Sequence, residues 1–198
     1  FENYIPHRND EGYGLNKKAI EEFAKNKVTL LITVDLGITD VEEVKLAREF
    51  GIDVIITDHH LPNGKLPNAY TILNSKQEDC DYPYNMLCGA GVAFKLVQAL
   101  MQKGNFGIKE GWEKWLLDMA GLSTIADMVP LVGENRTLAY FGLKVLAKSR
   151  RPGLLNLFRK TKIRQEMITE DDISFMIAPR INAASRMGAP IEAFNLLS

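Results

Sequence analysis

The sequence predicts an α/β fold, a parallel β-sheet flanked by helices and followed by a helical segment, and three observations carry that prediction. Two continuous apolar, β-branched runs, Val28 to Val34 and Ile52 to Thr57, have the composition of strands buried on both faces. Between them lies one helical period with its own start and stop signals, so residues 28 to 57 read as a βαβ unit. After Asn74 the apolar spacing becomes helical and stays so.

In chain order, residues 1 to 15 hold Pro6, Arg8, Gly12, Tyr13 and Gly14 without a sustained period and read as a loop. Asn16 is placed to cap a helix from Lys17 to about Lys25 with an apolar stripe of Ala19, Ile20, Phe23 and Ala24. After the first strand, Thr39 and Glu42 have the spacing of a capping box, and Gly51 stops the helix they open. A short strand from Tyr70 to Leu73 extends the sheet. Helices are expected from Gly89 to about Lys103, through Trp112, Trp115, Leu116 and Met119 with both tryptophans in the core, from Glu134 to Ser149, near Gly153 to Arg159, and from Thr169 to Met176. The expected division is a site-bearing domain over 1–136 and a basic helical segment over 137–198 that leads toward a further domain.

The chain is 198 residues long and 46% hydrophobic, enough for a core and too apolar for disorder. No apolar run approaches the ~20 residues that span a bilayer, so no membrane role is expected. Cys80 and Cys88 are the two cysteines, with seven residues between them, which is neither a zinc-ligand spacing nor a disulfide framework, and a reducing cytoplasm is the expected location. The start, Phe1-Glu2-Asn3-Tyr4, is neither an initiator methionine nor a signal peptide, so a fragment is expected.

The chemistry gathers where the strands stop. The second strand ends in Asp58-His59-His60, two of only three histidines in the chain directly after a carboxylate. Each imidazole needs partners for its nitrogens, which packing alone seldom supplies to two neighbours, so a metal site is favoured. The first strand ends in Asp35. A right-handed crossover makes the strands parallel, so Asp35 and Asp58-His59-His60 fall on the same carboxyl edge, where open α/β sheets bind ligands. Asp127 interrupts the apolar segment Thr124 to Pro130, and an aspartate buried there would need a partner or a cation. An oxygen-rich shell with imidazole and no thiolate suits Mn²⁺ or Mg²⁺ better than Zn²⁺.

Charge is unevenly distributed. From Thr137 to Gln165 there is no acid and there are eight bases, while 166–198 holds five acids against two bases. Arg159, Lys160, Lys162 and Arg164 are candidates for backbone phosphates. Arg180 and Arg186 flank an Asn-Ala-Ala-Ser turn and suit bidentate phosphate contacts, or pairing with the acids at 170–172. Gly89 and Gly91, at a helix start, are candidates for close approach of a phosphate to backbone amides.

These residues carry a resemblance. Thr33-Val34-Asp35-Leu36-Gly37-Ile38, Asp58-His59-His60 and Thr124-Ile125-Ala126-Asp127-Met128-Val129-Pro130-Leu131 resemble the motifs of the DHH phosphoesterase superfamily. Within it, Glu11-Gly12-Tyr13-Gly14-Leu15, the block from Gly89 to Leu96, Gly133-Glu134-Asn135-Arg136 and the block from Ala178 to Gly188 are most similar to the bacterial RecJ single-strand-specific exonucleases. The resemblance implies that Asp35 bridges two divalent ions, that His59 and Asp127 bind one of them, that His60 contacts the phosphate or handles a proton, and that Asp58 orients its neighbours. It also implies 5′→3′ exonuclease action on single-stranded DNA in repair and recombination, with other repair proteins as partners. The family's first motif, an aspartate-rich segment on an earlier strand, is missing, so weak metal binding and little activity are expected of these residues alone. Two other readings stay open: a small-molecule phosphohydrolase of the same superfamily, and a binding module that has lost its chemistry.

Overall fold

The computed structural model describes residues 1–7 and 10–198, so Arg8 and Asn9 of the expected N-terminal loop lie outside the described residues. The chain forms two compact units, Tyr13–Glu110 and Phe1–Gly12 together with Gly111–Ser198.

In the first unit, α1 (Lys17–Lys25) begins where expected. Asn16 Oδ1 accepts from the Ala19 amide at 2.8 Å, and Ala19 and Ile20 are buried. Strands β1 (Leu30–Val34), β2 (Asp53–Thr57) and β3 (Thr71–Leu73) form a parallel sheet in the order β1-β2-β3, with Val34 opposite Thr57 and Thr57 opposite Leu73. The strand ends are therefore level, which puts the residues that follow β1 and β2 side by side. Helix α2 (Val41–Glu49) connects β1 to β2 and packs Val44 and Ala47 with Ile20, Ile52, Val54 and Ile56 in one core. The unit's last helix is α3 (Gly89–Lys103).

Two local expectations change here. The capping box of Thr39 and Glu42 does not form, because Asp40 is the N-cap and its carboxylate instead accepts from the Leu15 amide at 2.7 Å. Only β2 resembles a strand covered on both faces. β1 and β3 are edge strands, and Leu30, Ile32 and Val34 of β1 are 45–49% exposed on one of its faces.

The second unit is helical: α4 (Leu117–Ala126), α5 (Gly133–Leu146), α6 (Pro152–Thr161), α7 (Ala178–Arg186) and α8 (Pro190–Leu197). Its core holds Leu122, Ile125, Leu146, Leu154, Phe158, Ile173 and Ile177. Helices α4 and α5 cross at Gly121 and Gly142, where a Cβ on either would lie 2.6–2.7 Å from the other's Cα. Position 136, the expected domain boundary, falls inside α5.

The tryptophans are not core residues, since Trp112 is 49% and Trp115 55% exposed. They lie in a 3₁₀ turn, Trp112–Leu116, whose three-residue period breaks the 3.6-residue spacing that pointed them inward. The Asn-Ala-Ala-Ser turn expected between Arg180 and Arg186 is helix. Backbone helicity runs from Glu170 through a π-helical stretch, Asp172–Ile177, into α7. Pro179 has no N–H to give a regular α-turn, and widened turns accommodate that. Arg151, one of the eight bases, is structural: its Nε sits 2.8 Å from the buried Asp118 carboxylate, and Nη1 donates to the Leu197 carbonyl. Among the described residues no helix is long and apolar enough to cross a membrane.

Candidate metal centre

The site is built on the carboxyl edge of the sheet. Asp35 follows β1 and takes a left-handed backbone, φ +67°, which aspartate tolerates better than most residues. Its amide donates to the Thr57 carbonyl at 2.9 Å, so the β1 and β2 ends are tied together at this point. Gly37 completes the turn at φ +114°, in a space where a Cβ would meet Thr33 Oγ1 at 2.9 Å. His59 Nε2 lies 3.1 Å from Asp35 Oδ1, and the ligand atoms of Asp35, His59 and His60 all fall within 4.8 Å of one another. An anionic oxygen and two imidazoles in that compass suit a divalent cation, which would replace a direct carboxylate-imidazole contact with shared coordination.

Asp58 is 1% exposed and binds no position where a cation would be needed to satisfy it. Oδ2 accepts from the Ile38 amide at 3.0 Å, while Oδ1 accepts from the His59 amide at 2.7 Å and sits 2.7 Å from His60 Nδ1. Burial raises its pKa, but the hydrogen bonds from the Ile38 amide, the His60 ring and the His60 and His59 amides outweigh burial and hold the carboxyl below its ordinary range. A charged carboxylate only accepts, so the partnership assigns the proton to His60 Nδ1 and leaves Nε2 as the ring's free-valence nitrogen. Asp58 thus orients its neighbours and closes the turn after β2 at the same time.

Two further residues belong to the site. Tyr13 Oη donates to the Asp35 carbonyl and lies 3.1 Å from His60 Nδ1, so one phenol touches both halves of the cluster. In the sequence it stands between Gly12 and Gly14 in a block that carries the family resemblance, with nothing to mark it as a site residue. Gly89 supplies space: a Cβ there would lie 2.1 Å from Asp35 Oδ1. Gly89 and Gly91 are both buried, and the Gly91 amide faces the Cys88 sulfur at 3.4 Å. The space that the missing Cβ of Gly89 leaves is taken up by the Asp35 carboxylate.

The sheet unit brings together Asp35, Asp58, His59 and His60. Asp127 belongs to the helical unit, at the C-cap of α4, and is exposed rather than buried in its apolar segment. Arg159, Lys160, Lys162 and Arg164 are exposed on α6 and the turn after it, where a shallow cleft of about 400 Å³ is lined by Lys162, Arg164, Met167 and Asp172. Arg180 and Arg186 are exposed on α7, and Arg180 Nη1 donates to the Met176 carbonyl rather than to the acids at 170–172.

A three-stranded parallel sheet with a carboxylate and two imidazoles converging on its carboxyl edge defines an α/β protein with a mixed oxygen and nitrogen site for a divalent cation. The chain belongs to the DHH family: the family model described as "DHH family, N-terminal domain" matches residues 1–125. It is similar to the single-stranded-DNA-specific exonuclease RecJ of Bacillus subtilis, at 43% identity over 194 residues, covering 98% of this chain and 24% of the relative. The RecJ of Thermus thermophilus is 37% identical over 194 residues, covering 98% of this chain and 28% of the relative. A crystal structure of exonuclease RecJ bound to manganese superposes with a TM-score of 0.82 at 36% identity, covering 96% of this chain and 46% of that one. The chain thus spans about a quarter to a third of the length of the curated relatives it matches.

Proposed function

We propose that this chain carries the metal-binding half of an exonuclease that hydrolyses phosphodiester bonds of single-stranded DNA from the 5′ end, with Mn²⁺ or Mg²⁺ as cofactor. The observation that carries the reading is the convergence of Asp35, His59 and His60 donor atoms within 4.8 Å at a sheet edge. Asp35 and His59 are the proposed ligands, and Asp127 is proposed as a ligand on its likeness to the family motif alone. Its position at the C-terminal end of α4 agrees with that role, since the helix dipole there disfavours a carboxylate and favours a cation beside it. A bound divalent ion supplies an activated water and offsets the charge that develops on the phosphoryl oxygens.

The chain's own groups do the rest. Asp58 engages His60 Nδ1 and leaves Nε2 to take up a proton and, once protonated, to donate to a phosphoryl oxygen. Tyr13 and Gly89 hold Asp35 against that pair. The names of the relatives support single-stranded DNA as substrate, and the exposed cations at 159–164 supply sequence-independent phosphate contacts. Other repair proteins are proposed as partners, and the cytoplasm as the location.

The test is a cleavage assay on 5′-labelled single-stranded and duplex oligonucleotides, with the full-length protein and with Asp35→Asn, in Mn²⁺ and in chelator. Cleavage of the single strand that requires the metal and drops by at least ~100-fold in Asp35→Asn is expected. Equal activity of the variant, or hydrolysis confined to a mononucleotide ester, would overturn the reading.

A further inference from the structure

We propose that the solvent face of α5 is a stacking platform for single-stranded nucleic acid, separate from the cations at 159–164; the proposal rests on single-stranded DNA being the substrate. Helix α5 buries Asn135, Leu138, Ala139, Gly142 and Leu146. Arg136, Tyr140 and Lys144 lie on the opposite side, four residues apart each time, and are exposed, and exposed Lys148 follows in the turn after the helix. That spacing makes one ridge, and at 1.5 Å rise per residue it runs ~12 Å from Arg136 to Lys144. Phe141 stands beside it. Tyr140 is 53% and Phe141 46% exposed, with ring centroids 5.1 Å apart at 80°.

Aromatic rings left in water beside cations match what a single strand offers, bases with apolar faces and phosphates with charge. Lys144 Nζ lies 4.2 Å from the Tyr140 centroid and 5.7 Å from that of Phe141. This exposed cation-π contact is weak, and a phosphate offers the ammonium a charge-assisted hydrogen bond instead. As Lys144 turns to a phosphate, it uncovers the Tyr140 face for a base. The charge selects the occupant. No acid follows Glu134 until Glu166, so a second copy of this ridge would be repelled and a polyanion attracted.

The experiment measures anisotropy of a fluorescein-labelled oligothymidylate in EDTA across several salt concentrations, with thermal melts of every variant. Tyr140→Ala with Phe141→Ala is expected to weaken binding about 5- to 100-fold with the salt slope unchanged. Tyr140→Trp should restore or exceed wild-type affinity. Lys144→Ala with Lys148→Ala should flatten the slope by roughly 0.7 per lysine. Wild-type binding that the aromatic variant retains would sink the platform alone. A concentration-dependent dimer that this variant abolishes would reassign the face to protein contact. If wild-type protein binds no oligothymidylate, the substrate reading falls and takes this proposal with it.

Discussion

Asp35 joins backbone strain to the placement of a proposed ligand. A left-handed aspartate costs more than a glycine would, yet only a side chain with a carboxylate at this point reaches His59 Nε2 at 3.1 Å. Asparagine adopts the same conformation and loses the charge. Asp35→Asn is therefore expected to leave stability within about 0.5 kcal/mol while lowering Mn²⁺ affinity at least ~10-fold, read by thermal melting and metal titration. An unchanged Mn²⁺ affinity would remove Asp35 from the ligand set. Gly89→Ala tests the same point from the other side. Alanine is the better helix former, but its Cβ would lie 2.1 Å from Asp35 Oδ1 and 2.5 Å from Asp35 Cβ. Overpacking there should cost about 1–3 kcal/mol and weaken Mn²⁺ binding as well, whereas tight binding by the variant would show that Asp35 can move without loss.

At the scale of elements, the helical unit depends on how closely α4 and α5 approach. Each carries a glycine that lowers its own helix propensity by about 1 kcal/mol, and the pair recovers this by letting the two backbones meet. A Cβ on Gly121 would lie 2.8 Å from the Leu138 carbonyl oxygen, and one on Gly142 would lie 2.7 Å from the Leu117 carbonyl oxygen. Backbone cannot give way as a side chain does. Gly121→Ala or Gly142→Ala should each destabilise the protein by about 2–4 kcal/mol in denaturant unfolding, despite alanine's higher propensity. A stabilised variant would mean that the helices slide apart at little cost. The Asp118–Arg151 pair lies in the same unit, so the basic run from 144 to 164 contributes seven cations to the surface rather than eight.

For the whole molecule, the proposed contact with a phosphate backbone makes a salt-dependence claim. Replacing Arg159, Lys160, Lys162 and Arg164 together should flatten the log-log dependence of oligonucleotide affinity on salt by ~0.7 per lost contact, with hydrolysis of a short model phosphodiester unaltered. A slope that does not change would make these side chains a solvated surface. What the sequence alone determined was the α/β class, the parallel strand pair, and the presence of Asp35 and Asp58-His59-His60 on one edge. Buried apolar runs report strand direction, and the handedness of the crossover does the remaining work. It also reported the Asn16 cap, the helix of residues 89–103 and, to within three residues at each end, the helices expected at 134–149 and 153–159, whose periods are local. Tertiary structure alone decided that Tyr13 bridges Asp35 and His60, that Gly89 yields its volume to a carboxylate, and that Arg151 is spent on buried Asp118. It also decided that β1 leaves one face open, and that residues 182–185 stay helical. The physical reason is common to all five. A local pattern encodes which face of an element is apolar, while these features depend on which atom a residue meets from tens of positions away, or on what covers an element, and neither leaves a period in the chain.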